Sequence, residues 1–365
     1  MTVARLPFSE PAPHEDMPAV RAAIERVLAS GWYVLGPEVE AFEREFATAC
    51  GAAHAVGVGT GTDAIALILR ALGIGPGDEV ITTPLSAAYT ALAVLMTGAR
   101  PVFADIDAER LTIDPAAIAA AVTARTRAIL PVHLYGQAAA MDAIAQIASR
   151  HALAIVEDCC QAHLATSDGR PVGTIGVAGA FSFYPTKNLA ALGDGGAVVT
   201  GDADLARRVT RLRNGGQTER YHHEVAGVNS RLDELQAAVL RARLPYLAQW
   251  TGERRALARI YRDQLAGAPV AVPRELDPGH VYHLLVVRST RRDRLQAHLR
   301  ERGIDTLVHY PVPIPRQPAL AASDPADCPR ANTACAELVS LPLRPGLSAR
   351  DVARVTSAVR DFKEE

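Results

Sequence analysis

At 365 residues, with 49% hydrophobic and 21% charged side chains, the chain reads as a soluble globular protein, long enough for a deep core and roughly two domains. Its net charge of −2 excludes the broad attraction to nucleic acid or an anionic membrane, so an anionic ligand must be held by local donors. Five cysteines without a CxxC exclude a disulfide framework and fit a reducing cytoplasm, and neither a signal core nor a membrane-length apolar stretch is present.

From about residue 36 to 213, short β-branched runs alternate with alanine- and leucine-rich helical runs. The pattern predicts strands at 54–59, 79–83, 101–105, 128–132, 154–157, 180–184 and 197–200. Helices are predicted between them at 62–72, 87–97, 115–123, 139–150 and 202–213. Such alternation implies an α/β fold: a mostly parallel seven-stranded sheet with helices on both faces, and ligands at the C-terminal ends of its strands. Residues 214–230 are polar and irregular around Arg220-Tyr221-His222-His223-Glu224. A long helix over 231–262, interrupted by Pro245, leads to a strand at 281–288, a helix at 291–302, a proline-rich loop at 309–318 and a last helix at 349–362. The change of texture predicts a larger domain at 1–249, opening on an arm at 1–14, and a smaller C-terminal α+β domain at 250–365.

Three segments carry chemistry. Gly57-Val58-Gly59-Thr60-Gly61-Thr62-Asp63-Ala64 joins a strand to a helix, where close backbone approach and free helical N–H groups suit an anion, with Thr60 and Thr62 as hydroxyl donors. Its spacing is not GxGxxG, and no acid ends the next strand, so one phosphate monoester suits it better than a dinucleotide. A plain tight turn is the bland alternative. In the second segment, Ile155-Val156-Glu157-Asp158-Cys159-Cys160-Gln161-Ala162-His163, Asp158 follows an apolar strand and serves equally as a helix cap or a site carboxylate. In the third, Asn229-Ser230-Arg231 precedes a helix with acids in its first turn, which leaves Asn229 and Arg231 as exposed donors.

Lysine usage separates these alternatives. Of 38 lysines and arginines only Lys187 and Lys363 are lysine, so the remaining 36 (38 − 2) are arginine. A lysine kept against that background suggests a primary amine that must lose its proton and attack, although a lysine snorkelling at a strand end is equally open. Lys363 lies in a charged tail; Lys187 closes Phe181-Ser182-Phe183-Tyr184-Pro185-Thr186-Lys187. An amine and a carboxylate at neighbouring strand ends, Lys187 and Asp158, is the pairing a pyridoxal phosphate enzyme needs. The histidines show no metal-binding spacing, so no metal is expected, and Ser182 lacks the glycines of a nucleophile elbow.

These segments, with PVHLYGQ at 131–137, FSFYPTKN and GDGGA, and NSRLDELQAA, resemble the DegT/DnrJ-type sugar aminotransferases of fold type I, in the same order and over almost the whole chain. The resemblance implies that Lys187 carries pyridoxal 5'-phosphate as a Schiff base and shuttles protons, with pyridoxamine 5'-phosphate as the intermediate form. It also implies that Asp158 pairs with the ring nitrogen and that Gln161 lies beside the phenolic oxygen. Gly61, Thr62 and Ser182 bind the phosphate, which Asn229 reaches from the other subunit of a homodimer, and His163 lies near the cofactor. Tyr33, Arg220, His222, His223, Arg231, His309 and Tyr310 are candidates for a nucleotide-linked keto sugar. Glutamate, released as 2-oxoglutarate, is the implied donor.

The match has departures. The family's ring-stacking aromatic is Ala88 here, leaving either Tyr89 or an aliphatic surface to cover the ring. Pro315 replaces a histidine, and Leu164 replaces a glycine. Tyr184-Pro185-Thr186 with Asp194 resembles members acting at C3 of a dTDP-3-keto-6-deoxyhexose; the alternatives are a C4 enzyme or a non-catalytic regulatory protein of the same fold. Lys187 argues against a sugar dehydratase, in which histidine takes its place.

Overall fold

The computed structural model of the chain describes residues 5–9, 14–320 and 327–363, so residues 1–4 and 10–13 of the expected arm lie outside the described residues. Helices α1 (Met17–Ser30) and α2 (Pro37–Cys50) come first. Proline in each first turn has no N–H to leave unpaired, and left-handed Gly31 and Gly51 close the two helices. Strands and helices then alternate through β1 (His54–Val58), α3 (Gly61–Ala71), β2 (Glu79–Thr82), α4 (Tyr89–Leu95) and β3 (Arg100–Phe103). They continue as α5 (Pro115–Ala121), β4 (Thr126–Leu130), α6 (Met141–His151) and β5 (Ala154–Asp158). A hairpin of β6 (Thr166–Ser167) and β7 (Arg170–Pro171) precedes β8 (Ala178–Ser182), β9 (Gly196–Thr200) and α7 (Ala203–Arg213).

Seven strands form one sheet in the order β1-β9-β8-β5-β4-β2-β3. Only β9 runs against its neighbours, β1 and β8; every other pairing is parallel. All seven predicted strands are present, with ends displaced by no more than two residues. Both faces are covered, which is why strands such as β2 and β9 are buried at every position. Val198 and Ala180 face α3, whose residues Ala64 to Leu69 are all buried. The alternate residues Phe181 and Phe183 face the other way, where Phe46 meets both edge to face at 5.2 Å.

The polar stretch expected to be irregular folds back as a hairpin, β10 (Gln217–Glu219) and β11 (His222–His223). Pro245 divides the expected long helix into α8 (Glu234–Arg243) and α9 (Leu247–Gln264), joined by the 3-10 turn Leu244–Tyr246. The expected domain boundary after residue 249 falls inside α9. β12 (Leu285–Arg288), α10 (Arg292–Glu301), α11 (Pro329–Glu337), β13 (Leu338–Leu341) and α12 (Ala349–Arg360) follow. β12 and β13 pair antiparallel, and Leu257 and Tyr261 of α9 pack with Val287, Leu299, Val339 and Val355 in a second core. Sequence periodicity did not reveal α11 and β13, which are short and continuous with each other.

Glu234 does more than start its own helix. Its buried carboxylate crosses to α2 and accepts the amides of Gly36, Glu38 and Val39 at 2.8–2.9 Å. Gly36, the N-cap of α2, has no side chain to do this, so a residue almost two hundred positions away supplies the cap. Glu234→Ala leaves these buried donors without an acceptor and is expected to cost about 3 kcal/mol. Thermal unfolding should show a midpoint several degrees lower, with Glu234→Gln, which keeps one acceptor oxygen, in between.

Candidate active site

Beyond β8 the chain doubles back through residues 184–195, held where the Phe183 amide donates to Gly195 O (2.8 Å) and the Ala191 amide donates to Phe183 O (2.7 Å). Within this loop the Lys187 amide donates to Tyr184 O at 2.8 Å, closing a turn that leaves the lysine half-buried. Burial lowers the pKa of its amine, while Cys160 and Asp158 act in the opposite direction.

Asp158 ends β5, between β4 and β8, and is 4% exposed. No α-helix follows it directly, so the helix-cap alternative fails. Instead Thr90 Oγ1 donates to its Oδ2 at 2.8 Å and the Cys160 amide to its Oδ1 at 3.1 Å. Gln161 bridges two segments: its Oε1 accepts the Tyr135 amide at 2.8 Å, and its Nε2 donates to Tyr310 Oη at 2.9 Å. Tyr135 Oη in turn donates to the carbonyl of His309.

Gly61 opens α3 against the same place. A Cβ on it would lie 2.6 Å from Cys160 Sγ and 2.7 Å from Ser182 Cβ, so only glycine fits. Thr62 follows in the first turn, and the Thr60 hydroxyl accepts the Asp63 amide at 3.0 Å as the cap of α3, which leaves its O–H to donate. Ser230 fastens the Asn229 segment to this loop: its hydroxyl accepts the Gly59 amide (2.9 Å) and donates to Asp63 Oδ2 (2.8 Å). Asn229 itself is exposed, and its side chain has no hydrogen-bond partner among the described residues.

Lys187, Asp158, Gln161, Ser182 and Gly61 thus share one neighbourhood, and His309 and Tyr310 join it through Tyr135 and Gln161. The other substrate candidates do not line the cavity at Lys187. Arg220 lies 5.1 Å from the Tyr221 ring between β10 and β11, His222 is exposed, and His223 is held by Gly215 O at 2.8 Å. Arg231 reaches Asn214 Oδ1 at 3.5 Å, and Tyr33 is exposed where its carbonyl accepts the Glu234 amide. Tyr89 begins α4 and is 65% exposed, whereas Ala88 packs on a hydrophobic cluster and Thr90 turns inward to Asp158.

Sequence reasoning missed Thr90, Asn188 and the site role of His283. Asn188 lies inside the FSFYPTKN segment, and His283 is one of the histidines that show no metal-binding spacing. His283 Nδ1 lies 3.2 Å from Asn188 Oδ1 beside Lys187. Its pKa is well below the usual value through burial, with Lys187 adding to the effect. His309 is lowered to about 4 for the same two reasons. His163, fully buried against the rings of Phe181 and Phe183, has neither ring nitrogen partnered, and burial followed by the nearby Lys187 lowers it to about 3. All three imidazoles near the amine thus favour the neutral form, the nearby Lys187 adding to the effect of burial.

Glu157 lies wholly buried one residue before Asp158. It accepts the amides of Gly173, Ile175 and Gly176 at 2.7–2.8 Å, and His133 Nε2 is 3.0 Å away. His133 Nδ1 accepts the Ala139 amide, so Nε2 carries the proton that goes to Glu157. His133, Glu157 and Cys159 lie close enough to hold a metal, yet the carboxylate and both ring nitrogens are occupied within the protein. Leu164, where the family pattern has glycine, adopts φ 60°, a left-handed conformation that glycine reaches at lower cost.

With this geometry in place, comparison with known proteins is informative. The sequence model of the DegT/DnrJ/EryC1/StrS aminotransferase family matches residues 15–360. The dTDP-3-amino-3,4,6-trideoxy-alpha-D-glucose transaminase of Streptomyces venezuelae is 52% identical over 369 residues, covering 99% of this chain and 97% of that protein. The crystal structure of S. venezuelae DesV in complex with a ketimine intermediate is similar at TM-score 0.96 and 51% identity, covering 99% of each chain. NtdA from Bacillus subtilis with bound cofactor PMP is similar at TM-score 0.91 and 31% identity, covering 98% of this chain and 85% of that one.

The buried histidines set the acid response. His163 and His280 are lowered to about 3 by burial, aided by Lys187 at His163 and by Arg255 and Arg262 at His280. Between their unfolded value of about 6.5 and these folded values, only the unfolded chain takes up the proton, so stability is full above that window and falls as pH drops through it. Each such residue adds a slope of about 1.4 kcal/mol per pH unit. Removing one of them in His163→Leu is expected to flatten the fall of the thermal midpoint between pH 6 and 4.5.

Proposed function

The chain belongs to the DegT/DnrJ/EryC1/StrS aminotransferase family, and from that premise we propose that it transfers the amino group of glutamate to C3 of a dTDP-linked 3-keto-6-deoxyhexose, in amino-sugar biosynthesis. One observation carries this reading: the half-buried primary amine of Lys187 lies within electrostatic reach of Asp158, a carboxylate whose two oxygens are both aimed by donors. Pyridoxal phosphate is the cofactor of the family, and the residues present fit it. Gly61 leaves the space that a side chain would fill, and the free N–H groups at the start of α3 suit a phosphate.

When bound, the cofactor supplies an electron sink for the carbon that bears the amine. The roles of this chain's own residues follow from their surroundings. Asp158 holds the proton on the ring nitrogen, its orientation set by the Thr90 hydroxyl and the Cys160 amide. Gln161, fixed at both ends of its amide, would serve the phenolic oxygen. Gly61, Thr62 and Ser182 would hold the phosphate, and Tyr89 would be the aromatic nearest in sequence to the family's ring-stacking position. Lys187 would hold the cofactor through Nζ and move protons there. Burial eases loss of its proton, and no charged imidazole stands beside it to oppose gaining one.

The C3 assignment is supported by Tyr184, Pro185, Thr186 and Asp194 and by similarity to a dTDP-3-amino-sugar transaminase. Asn229, Tyr33, Arg220 and His222 are exposed and stand apart from their own Lys187 cavity, which supports a homodimer in which they serve the partner's site with His223 and Arg231. The division into a cofactor-binding part at 1–249 and a smaller part at 250–365 belongs to the same proposal, with α9 as the shared element. A cytoplasmic setting accords with five free cysteines, and no helix among the described residues is long and apolar enough to cross a membrane.

Run in reverse with 2-oxoglutarate, the enzyme is expected to consume dTDP-3-amino sugars and spare dTDP-4-amino sugars. Product analysis by chromatography decides this, and consumption of only the 4-amino sugar would move the reaction to C4. For the composite site, Lys187→Ala and Asn229→Ala are each expected to be severely impaired alone. Mixed and reassembled, they should regain partial activity, because one site of each hybrid keeps both native residues.

A further inference from the structure

Lys187, Asn188 and His283 line one cavity of about 310 Å³, bounded also by α9, His309 and residues 343–346. Asn188 is 6% exposed and His283 8%. The Asn188 side chain is held at both ends: Nδ2 donates to the Val281 carbonyl at 3.2 Å, and Oδ1 lies 3.2 Å from His283 Nδ1. A backbone carbonyl only accepts, so this amide cannot be turned round, and it presents an oxygen to the imidazole. Nδ1 of His283 therefore carries the ring proton, which leaves a lone pair on Nε2. That nitrogen has no hydrogen-bond partner among the described residues and is not sealed inside the protein, so it is left to the cavity.

The frame behind the pair is tied to other segments. The Val281 amide donates to Gly136 O at 2.9 Å, and the His283 carbonyl accepts Arg254 Nη1 at 3.3 Å. The other imidazoles near the amine are not fixed in this way. His309 Nδ1 faces the Ser340 hydroxyl at 2.8 Å, which can donate or accept, and His163 has no partner at either nitrogen.

A neutral imidazole pinned at Nδ1 can only accept at Nε2. Burial opposes its protonation, as do Lys187, Arg254 on α9, His309 and His163, so it stays an acceptor. The remaining charged groups of the cavity wall among the described residues are Arg243, paired with Asp16, Glu15, engaged by Trp250, and Arg344. Lys187 is the one cation of this wall able to lose its proton.

We propose that His283 is a further catalytic residue: when Lys187 is free of the cofactor, its Nζ donates a hydrogen bond to His283 Nε2, and Asn188 is the positioning residue that fixes this tautomer. The contact steadies the ammonium form, which burial disfavours, so the amine keeps a proton to return to substrate. The inference rests on the aminotransferase reading above and adds a residue pair to it.

The decisive measurements need no turnover. Two-bond proton–nitrogen NMR spectra of the full-length protein with labelled histidine read the tautomer of His283. Carbon-labelled lysine reports the titration of Lys187 in the holoenzyme loaded with pyridoxamine 5'-phosphate. His283 should show a protonated Nδ1 and a bare Nε2 at neutral pH, and its Nε2 resonance should move as Lys187 titrates. His283→Leu should lower the proton affinity of Lys187 about tenfold, the worth of one hydrogen bond to a charged group. His283→Gln, whose amide oxygen can take the place of Nε2, should restore most of it. Asn188→Asp makes the partner an anion, so His283 should gain a second proton as pH falls through the usual histidine range, and turnover should acquire an acid limb there. A protonated Nε2 in the native protein, an Nε2 resonance indifferent to Lys187, Leu and Gln variants that behave alike, or a native pH profile in Asn188→Asp overturns the proposal. Should the variants fail to fold, the two native spectra decide alone. Whether the sugar is aminated at C3 or C4 does not bear on these spectra, so failure of that assignment and failure of this one are told apart.

Discussion

The buried carboxylate of Glu157 is the constraint on which the site depends. An ion without water is tolerated only when its lone pairs are met, and Glu157 meets them with three amides from the 173–176 turn and with His133 beyond β4. That single group locks the exits of β4 and β5 to the entry of β8. Asp158 follows it in the chain, and Lys187 hangs from the loop after β8. Small displacements of any of these strand ends would break a hydrogen bond to a buried charge before they moved the amine away from its carboxylate.

Around this anchor the polar groups are spent in a definite order. Glu234 at α2 and Thr60 at α3 satisfy the helix starts they cap, while single unmet atoms remain elsewhere at Thr112, Arg213 and Thr251. The groups nearest Lys187 are left incomplete: His163 with two unpartnered nitrogens, Arg243 and Arg254 with one each. Native proteins satisfy nearly all buried polar atoms, so a local concentration of unmet ones marks where a ligand completes the structure.

The sheet was legible because period and composition report burial directly. Seven buried strands between amphipathic helices leave a pattern that survives without knowledge of partners. The pairing of Lys187 with Asp158 was legible for a different reason: two lysines among 38 basic residues made one position conspicuous. What could not be read was contact between distant segments. Nothing near Thr90 in the sequence says that its hydroxyl meets Asp158, and nothing in Glu234 says that it caps a helix beginning at Pro37. The arrangement of Arg220, His222, His223 and Arg231 was hidden in the same way: Arg220 to His223 fall on and between the strands of a hairpin, and Arg231 lies beyond it near Asn214, apart from their own Lys187 cavity. Arg254 was invisible because a guanidinium in an arginine-rich helix looks like a solvated face until its burial is known.

The scarcity of ammonium groups also has a chemical consequence. Beyond the chain's α-amino group, the protein offers amine-selective acylating reagents two amines: Lys363, exposed near the end, and Lys187, half-buried with its proton affinity reduced. Guanidinium does not react with such reagents under mild conditions. The mass added to one tryptic region therefore reports the accessibility of a single reacting atom against almost no background. The substitution of arginine for lysine everywhere else has turned the molecule into its own active-site titrant.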